Sequence, residues 1–383
     1  MKKYDFIIAG GGMAGLSLAY YLNHSTLRDK SILILDREIK NQNDRTWCFW
    51  EKGRNNPFEK IMCRCWDTVA FQGPGITQNL DMGGYYYKMM RGIDFYDFVR
   101  SDLQQNPNIT FKQATVERIK DTPEGGFVIT TDEPYLGNFV FDSTTPLKLN
   151  LPQNHNLLQH FKGWVIETPE PRFDPDVPMM MDFGIDQGGD CRFMYVLPFN
   201  NSKALVEYTL FNESLLEQDV YEVALKKYVE TDLKITNYSL AETEYGVIPM
   251  SDENIERFVG KHIVRIGLSG GATKASTGYT FLRSQHDLQQ MVENIAKNGS
   301  AVPQTNWFKG RFKWYDSILL NVLEQKRFPA AGVFAQLYKH NPPAQVFKFL
   351  DEDTNLLEEI RIFLTLPIGV FLSAAFAVFW RKI

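Results

Sequence analysis

The chain has 383 residues, 44% of them hydrophobic, which is enough for two or three domains with substantial cores. Its net charge of −5 and the lack of a strongly basic segment argue against nucleic acid as a partner. The four cysteines are too few for a disulfide framework, and their spacing predicts no metal site.

The first 36 residues match the pattern of a dinucleotide-binding unit. Tyr4–Ala9 is an apolar run typical of a buried strand, Gly10–Gly15 has the spacing G-x-G-x-x-G, and Leu16–Asn23 is a predicted helix. A second strand, Ser31–Leu35, ends at Asp36, about 20 residues after the glycines. This complete order predicts a bound dinucleotide.

The small residues of this turn have separate predicted roles. Gly10 permits the tight turn, Gly12 lets a pyrophosphate approach the backbone, and Gly15 lets the helix pack against the strand. Ala14 lies in the same turn and is grouped with them. The helix N-terminus offers free N–H groups to phosphate, and Asp36 can accept from a ribose hydroxyl.

Further along, the predicted elements alternate between two regions. Residues 93–106 predict an amphipathic helix, and the strand Phe139–Asp142 returns to the nucleotide unit. Residues 163–250 are mostly strand-like, with Gly163–Thr168, Arg192–Phe199 and Ala204–Phe211 as clear cases. From about residue 285 the periodicity is helical. The pattern predicts two interleaved domains followed by helices.

A second glycine turn favours a flavin dinucleotide over a nicotinamide dinucleotide as the cofactor. The predicted strand Lys261–Gly267 runs into small residues that resemble the flavin-binding turn of FAD monooxygenase-like folds. Leu268 stands where many of those proteins carry Asp. The resemblance implies FAD and adds predicted cofactor-binding residues: Gly267, Gly270, Gly271, Thr277 and Gly278. A turn that serves only the fold is the alternative.

The predicted fold class is α/β with an α+β second domain. It comprises a Rossmann-like FAD-binding fold of the monooxygenase-like type, an interleaved β-sheet substrate domain and a helical C-terminal region. The predicted boundaries are 1–90, 107–162 and 251–300 for the discontinuous cofactor domain, 163–250 for the β-sheet domain, 301–361 for the helical region and 362–383 for an apolar tail.

Several segments together resemble the lycopene cyclase family of bacteria and plants. They occur in the family's order between residues 4 and 290: Asp44–Trp50, Phe193–Phe199, Ala204–Phe211, Tyr245–Met250 and Thr273–Phe281. One departure is Tyr208, which stands where the plant motif has its second acid, so only Glu207 is carried over as the acid. The resemblance implies cyclisation of the linear ψ end groups of lycopene to β rings, through γ-carotene to β-carotene.

The resemblance also implies the cofactor's state and the partners. FAD is expected in its reduced form, with no net redox change in the substrate and with NAD(P)H as a visiting electron donor. Arg45, in the first of the matching segments, joins the predicted cofactor-binding residues. A hydrophobic carotenoid is the expected substrate, and the oligomeric state is left open.

Glu207 is also a candidate acid on chemical grounds alone. Strand alternation places it on one face with Leu205, Thr209 and Phe211. Apolar neighbours disfavour the charged carboxylate and raise its pKa, which makes a competent general acid at neutral pH. The alternatives are that Glu207 pairs with a lysine or arginine, or faces water.

Other side chains compete for the acid role or assist it. The rival acids flank apolar strands of the same region: Asp182, Asp186, Glu242 and Glu244. Aromatic rings stabilise cations through their quadrupole. Tyr195, Phe193 and Tyr208 are candidates for that role, although core packing is the alternative for each.

Ile362–Trp380 is an uncharged run of 19 residues, which as one helix would be about 28 Å long, close to the thickness of a bilayer core. Three interpretations compete: a single membrane span, a monotopic or re-entrant segment, and a buried helix. A monotopic or peripheral enzyme on the cytoplasmic face of a membrane is our expectation, with no signal peptide predicted.

Three other functions fit the same fold prediction. A flavin monooxygenase or halogenase would consume oxygen and NAD(P)H, and an isoprenoid reductase would add hydride to a double bond. A flavin-bearing binding protein is the non-enzymatic alternative, and it leaves the Glu207 segment without a purpose.

Overall fold

The computed structural model describes residues 1–302 and 310–381. Its strands, numbered in chain order, are β1 Lys2–Ala9, β2 Ile32–Asp36, β3 Thr46–Lys52, β4 Arg64–Trp66, β5 Thr68–Gly73, β6 Ile76–Asp81, β7 Tyr85–Arg91, β8 Ile109–Gln113, β9 Val116–Thr122, β10 Gly125–Thr130, β11 Pro134–Asp142, β12 Asn156–Glu167, β13 Met179–Asp182, β14 Cys191–Asn200, β15 Lys203–Asn212, β16 Ser239–Ser251, β17 Phe258–Val259 and β18 Ile263–Arg265. Its helices are α1 Met13–Asn23, α2 Gly92–Leu103, α3 Gln218–Lys227, α4 Phe281–Asn298, α5 Gly310–Glu324, α6 Ala330–His340, α7 Pro343–Leu350, α8 Leu356–Phe363 and α9 Ile368–Arg381.

A parallel sheet forms the first layer, with strand order β18-β11-β1-β2-β8. Its central strands are apolar along their length because helices and the β9–β10 hairpin cover both faces; Ile7 and Leu33 are fully buried. The predicted first strand, helix and second strand are all present. Helix α1 begins at Met13, three residues before the predicted start, so the glycine turn leads directly into it.

A large antiparallel sheet forms the second layer, with the order β16-β12-β15-β14-β13-β5-β6 and one parallel pair, β13 with β5. Alternation along β15 sends Leu205 and Phe211 to one face, toward α6 and the C-terminal helices. Val206, Tyr208 and Leu210 pack on the other face, under α3. A small sheet of β3, β7 and β4 lies beside the two layers.

The sheets divide the chain differently from two predicted boundaries. Strands β5 and β6 lie within 1–90, which we assigned to the cofactor domain, yet they extend the large antiparallel sheet. Strand β12 begins at Asn156, inside the segment 107–162 assigned to the same domain. Both differences arise because strand pairing joins segments about a hundred residues apart, which local periodicity does not reveal.

The predicted continuous helix over Ile362–Trp380 is broken. Helix α8 ends at Phe363, and α9 begins after Pro367 at an angle of 118° to it. Within residues 1–302 and 310–381, no single helix is long and apolar enough to cross a bilayer, and only this bent pair passes by length and composition. One side of α9 packs on α5 and α6 through Ala374 and Val378.

Candidate active site

A cavity of about 340 Å³ lies where the N-terminus of α1, the segment before α4 and the large antiparallel sheet come together. Its walls combine backbone glycines, aromatic rings and three carboxyl groups, those of Asp44, Glu207 and Glu244. The groups that matter below are Gly12, Gly267, Gly278, Trp47, Tyr87, Phe161, Tyr195, Tyr279, Glu207 and Glu244.

The first glycine turn has the geometry of an anion site. Gly10 adopts φ +101°, and a Cβ at Gly15 would overlap the carbonyl oxygen of Gly10, so both positions require glycine. A Cβ at Gly12 would meet nothing within 4 Å. Among residues 1–302 and 310–381 no side chain caps α1, and the sequence of its first turn contains no acid. The N–H groups at this end of the helix are therefore free to receive a phosphate.

Asp36 lies at the end of β2, beside the same turn. Its carboxylate accepts from the N–H of Gly11 at 2.6 Å and from that of Glu38 at 2.8 Å. It lines a smaller cavity of about 70 Å³ together with Gly11. The lone pairs that these two bonds leave open can accept from a ribose hydroxyl, as predicted for a dinucleotide.

The second glycine turn borders the cavity from the other side. Gly267 adopts φ +60°, and a Cβ there would lie 2.8 Å from the Cβ of Ala14. Gly278 adopts φ +73°, and a Cβ there would overlap the Oε1 atom of Gln159. The Oε1 atom of Gln159 is buried and receives no hydrogen bond from any described residue. A narrow space between glycine backbones with an unpaired amide oxygen suits a planar ring that carries an N–H group.

Two glutamates face each other across a glycine in the large antiparallel sheet. The strand register places Glu244 of β16 opposite Gly163 of β12, and Gly163 opposite Glu207 of β15. Tyr195 of β14 continues the same row beyond Glu207. Because opposed residues share a face, the two carboxyl chains meet above the missing side chain of Gly163.

Burial controls the protonation of this pair. Desolvation raises the pKa of Glu207 well above its usual range, and the neighbouring Glu244 carboxyl raises it further. Desolvation also raises the pKa of Glu244, while hydrogen bonds from Thr46 act in the opposite direction. No lysine or arginine of the described ranges forms an ion pair with either acid. Within these ranges, the alternative that Glu207 pairs with a lysine or arginine is therefore not supported.

The rival acids have other partners. Glu242 forms an ion pair with Arg91 at 2.9 Å, and Asp182 accepts from the Tyr228 hydroxyl at 2.7 Å on the α3 side of the sheet. Asp186 accepts from the backbone of Gly188 in a loop. Among the acids considered, Glu207 and Glu244 are thus the ones that line the cavity.

A family model described as "Lycopene cyclase protein" matches residues 5–375, nearly the whole chain. The chain belongs to this family. The resemblance seen in the sequence segments is therefore confirmed, and the cavity described above is the candidate active site of a lycopene cyclase family member.

A curated family relative is the lycopene beta-cyclase of Paracoccus sp. (strain N81106 / MBIC 01143). It is 28% identical over 164 residues, which cover 41% of this chain and 40% of that protein. The match thus spans less than half of the relative's length.

Two solved structures share the fold of this lycopene cyclase family member. A geranylgeranyl bacteriochlorophyll reductase-like protein from Thermoplasma acidophilum has a TM-score of 0.66 at 12% identity, covering 98% of this chain and 96% of the other. The flavin-dependent brominase Bmp2 has a TM-score of 0.57 at 13% identity, with both chains covered completely. The predicted α/β flavoprotein-type fold is confirmed.

The predicted cofactor residues fall into three groups. Those that line the main cavity are Gly12, Ala14, Arg45, Gly267 and Gly278. Those that shape the two turns without lining it are Gly10, Gly15, Gly270, Gly271 and Thr277. Asp36 lines the smaller neighbouring cavity. In the second turn, a 3-10 turn at Gly267–Gly270 is followed by a segment without regular structure before α4 begins at Phe281.

The three aromatic residues predicted to stabilise a cation lie in different places. Tyr195 lines the cavity, whereas Phe193 is buried in the core and Tyr208 lies on the opposite face of β15, where Arg192 donates to its hydroxyl. Sequence reasoning missed Tyr87 and Tyr279, whose hydroxyls are 3.3 Å apart at the cavity wall.

The sequence offers Glu244 as a rival acid, or as a residue that positions the flavin or takes the final proton, but it does not reveal that Glu244 lies beside Glu207. The one available signal was Gly163, since a lone glycine inside a strand often marks a close approach of other groups.

Proposed function

We propose that this chain catalyses the acid-initiated cyclisation of the ψ end groups of lycopene to β rings, forming γ-carotene and then β-carotene. The observation that carries the proposal is the desolvated carboxyl group of the half-buried Glu207, which has no cationic partner among the described residues and lies in an aromatic cavity beside a dinucleotide-type turn. Family membership and the lycopene beta-cyclase relative support the same substrate class.

Each step has a chemical requirement that this cavity can meet. Protonated Glu207 gives its proton to the terminal C=C bond of the substrate, which leaves a tertiary cation. The neighbouring internal double bond attacks that cation and closes a six-membered ring. Loss of a ring proton to the ionised carboxyl then sets the ring double bond and restores the acid. Substrate and product are isomers, so no electrons are gained or lost.

The cavity wall suits a hydrocarbon cation. Tyr195, Tyr87 and Tyr279 present rings at the same side as Glu207, and Trp47 and Phe161 complete the aromatic lining. Ring faces attract positive charge, by about 0.5–2 kcal/mol each in desolvated sites. Burial raises the pKa of Tyr279 to about 12, so its hydroxyl stays protonated and adds no competing charge at neutral pH.

We infer that FAD is the dinucleotide. Gly12 and the free end of α1 would hold its pyrophosphate, Asp36 its adenosine ribose, and Gly267 and Gly278 would leave space for its ring. Reduced FAD, renewed by NAD(P)H, supplies an electron-rich group that stabilises positive charge. The residues of this chain position the substrate, exclude water and hold the acid proton at Glu207.

The test is expression in a lycopene-accumulating bacterium, with pigments analysed by chromatography and mass spectrometry. We expect cyclic carotenoids of unchanged mass. Glu207→Gln should retain FAD, and its rate of cyclisation should fall by about a hundredfold or more, which is the usual contribution of a general acid. The exposed Glu217→Gln, ten residues along the chain, is the matched control and should behave as wild type.

Two results would overturn the proposal. A product heavier by oxygen or halogen indicates a monooxygenase or halogenase, and one heavier by hydrogen indicates a reductase. Full activity of Glu207→Gln would remove Glu207 from the acid role while leaving the cyclase function in place.

We further propose that the bent pair of α8 and α9 contacts a lipid surface as a monotopic or peripheral anchor. Large apolar side chains are exposed along both helices: Leu356, Leu357, Ile360, Leu364, Ile368, Leu372, Phe376, Phe379 and Trp380. On α9 they follow helical spacing on the side opposite the buried Ala374 and Val378. An exposed apolar face of this size suits lipid, from which a carotenoid would be drawn.

A further inference from the structure

We propose that Glu207 and Glu244 hold one proton between them, and that Glu244 is the positioning residue that keeps Glu207 protonated. This deepens the proposed function and rests on it, since it concerns how the acid of that reaction is held ready. Nothing in the sequence segments shared with the family marks Glu244 for this role.

Strand geometry brings the two carboxyl groups together. Neighbouring strands are about 4.8 Å apart, so the backbones of β15 and β16, on either side of β12, are about 10 Å apart. Glutamate chains can bridge that distance only if the residue between them is small. A Cβ at Gly163 would lie 3.0 Å from Glu244 Cγ and 3.3 Å from Glu244 Oε1. Glu244 therefore lies over Gly163, in the direction of Glu207.

The hydrogen-bond pattern leaves one gap that a shared proton fills. Thr209 Oγ1 donates to Glu207 Oε1 at 2.9 Å, and Thr46 interacts with the Glu244 carboxyl. Glu244 Oε1 is buried and receives no N–H or O–H donor from the described part of the chain. Two ionised carboxylates in contact would repel each other, whereas a proton on Glu207 supplies the donor that Glu244 Oε1 lacks.

The groups around the pair do not supply or remove this proton near neutral pH. Burial raises the pKa of Cys48, Tyr87 and Tyr195, and that of Tyr279 to about 12, so all four remain neutral. On β16, the strand of Glu244, the nearby carboxylate Glu242 forms an ion pair with Arg91. The remaining charged or ionisable groups line other parts of the cavity wall: Lys40, Asp44, Arg45, Tyr96 and Tyr245.

The arrangement also accounts for proton return. With one proton the pair carries a single negative charge, and after Glu207 protonates the alkene both carboxyls are ionised beside the substrate cation. Mutual repulsion makes the pair a strong acceptor for the proton that leaves the closed ring. The proton gained at the end equals the proton given at the start, so the cycle needs no outside acid.

The experiment measures lycopene cyclisation by the purified FAD-loaded protein from pH 5.5 to 9 for wild type and Glu244→Gln. Without the like charge of Glu244, Glu207 should ionise at a lower pH. The alkaline limb of the activity profile, where Glu207 ionises, then moves down by about one to two pH units, with tenfold less protonated Glu207 for each unit above its pKa. At pH 8 we expect at least about a tenfold loss, largely recovered at pH 6.

Matched variants separate this electrostatic role from a structural one. Glu217→Gln removes the same charge from an exposed position outside the cavity lining and should leave the pH profile in place. Glu244→Asp should restore part of the wild-type profile. A merely structural Glu244 would instead lower activity by the same factor at every pH.

Infrared difference spectroscopy of the same proteins provides a readout without turnover. We expect a protonated carboxyl band at pH 7 in wild type and no such band in Glu207→Gln. In Glu244→Gln the band should disappear at a lower pH than it does in wild type. A Glu244→Gln protein with the wild-type band and pH profile would overturn the shared proton while the cyclase function stands. If wild type cyclises no lycopene, the proposed function fails, and the infrared titration still decides whether the proton is shared.

Discussion

A buried histidine–aspartate pair couples the large antiparallel sheet to the C-terminal helices. His155 is fully buried, and its Nδ1 lies 2.9 Å from Asp252, whose side chain is 3% exposed. The other ring nitrogen of His155 lies 3.0 Å from the amide of Asn321 on α5. Although burial alone raises the pKa of Asp252, the hydrogen bonds from His155 outweigh it and hold that pKa well below the usual range.

The sign of this shift predicts a pH-dependent contribution to stability. A carboxyl whose pKa is depressed in the folded state stabilises it above the unfolded pKa of about 3.9, and that stability is lost as pH falls through the folded pKa. Asp252→Asn should lower the free energy of unfolding by about 2–4 kcal/mol at pH 7, with a smaller difference at about pH 2, between the unfolded and folded pKa values. Denaturant unfolding at both pH values measures it.

The exposed acid Glu256 provides the control for this prediction. Glu256→Gln should change stability by less than about 0.5 kcal/mol at either pH. An Asp252→Asn protein as stable as wild type at pH 7 would contradict the assigned role of the pair.

Among the elements, the junction of β1 and α1 depends on two glycines for different reasons. Gly15→Ala would push α1 away from the carbonyl oxygen of Gly10, and we expect it to lower stability by about 1–3 kcal/mol even without cofactor. Gly12→Ala has open space and an extended backbone at φ −80°, so the protein should melt as wild type does. It should nevertheless weaken FAD binding by about tenfold or more, equivalent to about 1.4 kcal/mol.

Thermal melting of the cofactor-free proteins and titration with FAD separate the two effects. Each variant serves as the control for the other, because one changes packing and the other changes the surface that a pyrophosphate would approach. If Gly12→Ala binds FAD with wild-type affinity, the pyrophosphate does not bind at this turn.

For the whole molecule, the exposed face of α9 predicts binding to lipid vesicles. Leu372 and Phe376 are 66% and 65% exposed, one helical turn apart. Transfer of one such apolar side chain from water into the lipid would favour binding by about 1.5–3 kcal/mol. The double variant Leu372→Glu, Phe376→Glu should therefore reduce vesicle binding by at least about tenfold in a flotation assay with phosphatidylcholine and phosphatidylglycerol.

Val223 provides the matched control. It is 66% exposed on α3, on the other side of the large antiparallel sheet. Val223→Glu should float as wild type does. Equal flotation of the α9 double variant and wild type would exclude this face as the lipid contact.

The sequence by itself determined the features that local chemistry controls. The glycine turn before α1, the acid at the end of β2 and the alternation around Glu207 each depend on neighbours within about 25 residues, so their pattern could be recognised directly. The family segments extended this to membership of the lycopene cyclase family. Most element bounds differed by only a few residues; the exceptions are the start of β12, at Asn156 rather than Gly163, and the α8–α9 bend beside Pro367.

Only the tertiary structure decided which distant groups meet. Glu207 and Glu244 are neighbours because β15 and β16 both pair with β12 in a register that centres on Gly163. Tyr87 reaches the same cavity from the small sheet. Strand pairing of this kind depends on long-range packing between faces that many registers could satisfy locally, and a shift of one residue would turn each side chain to the opposite face.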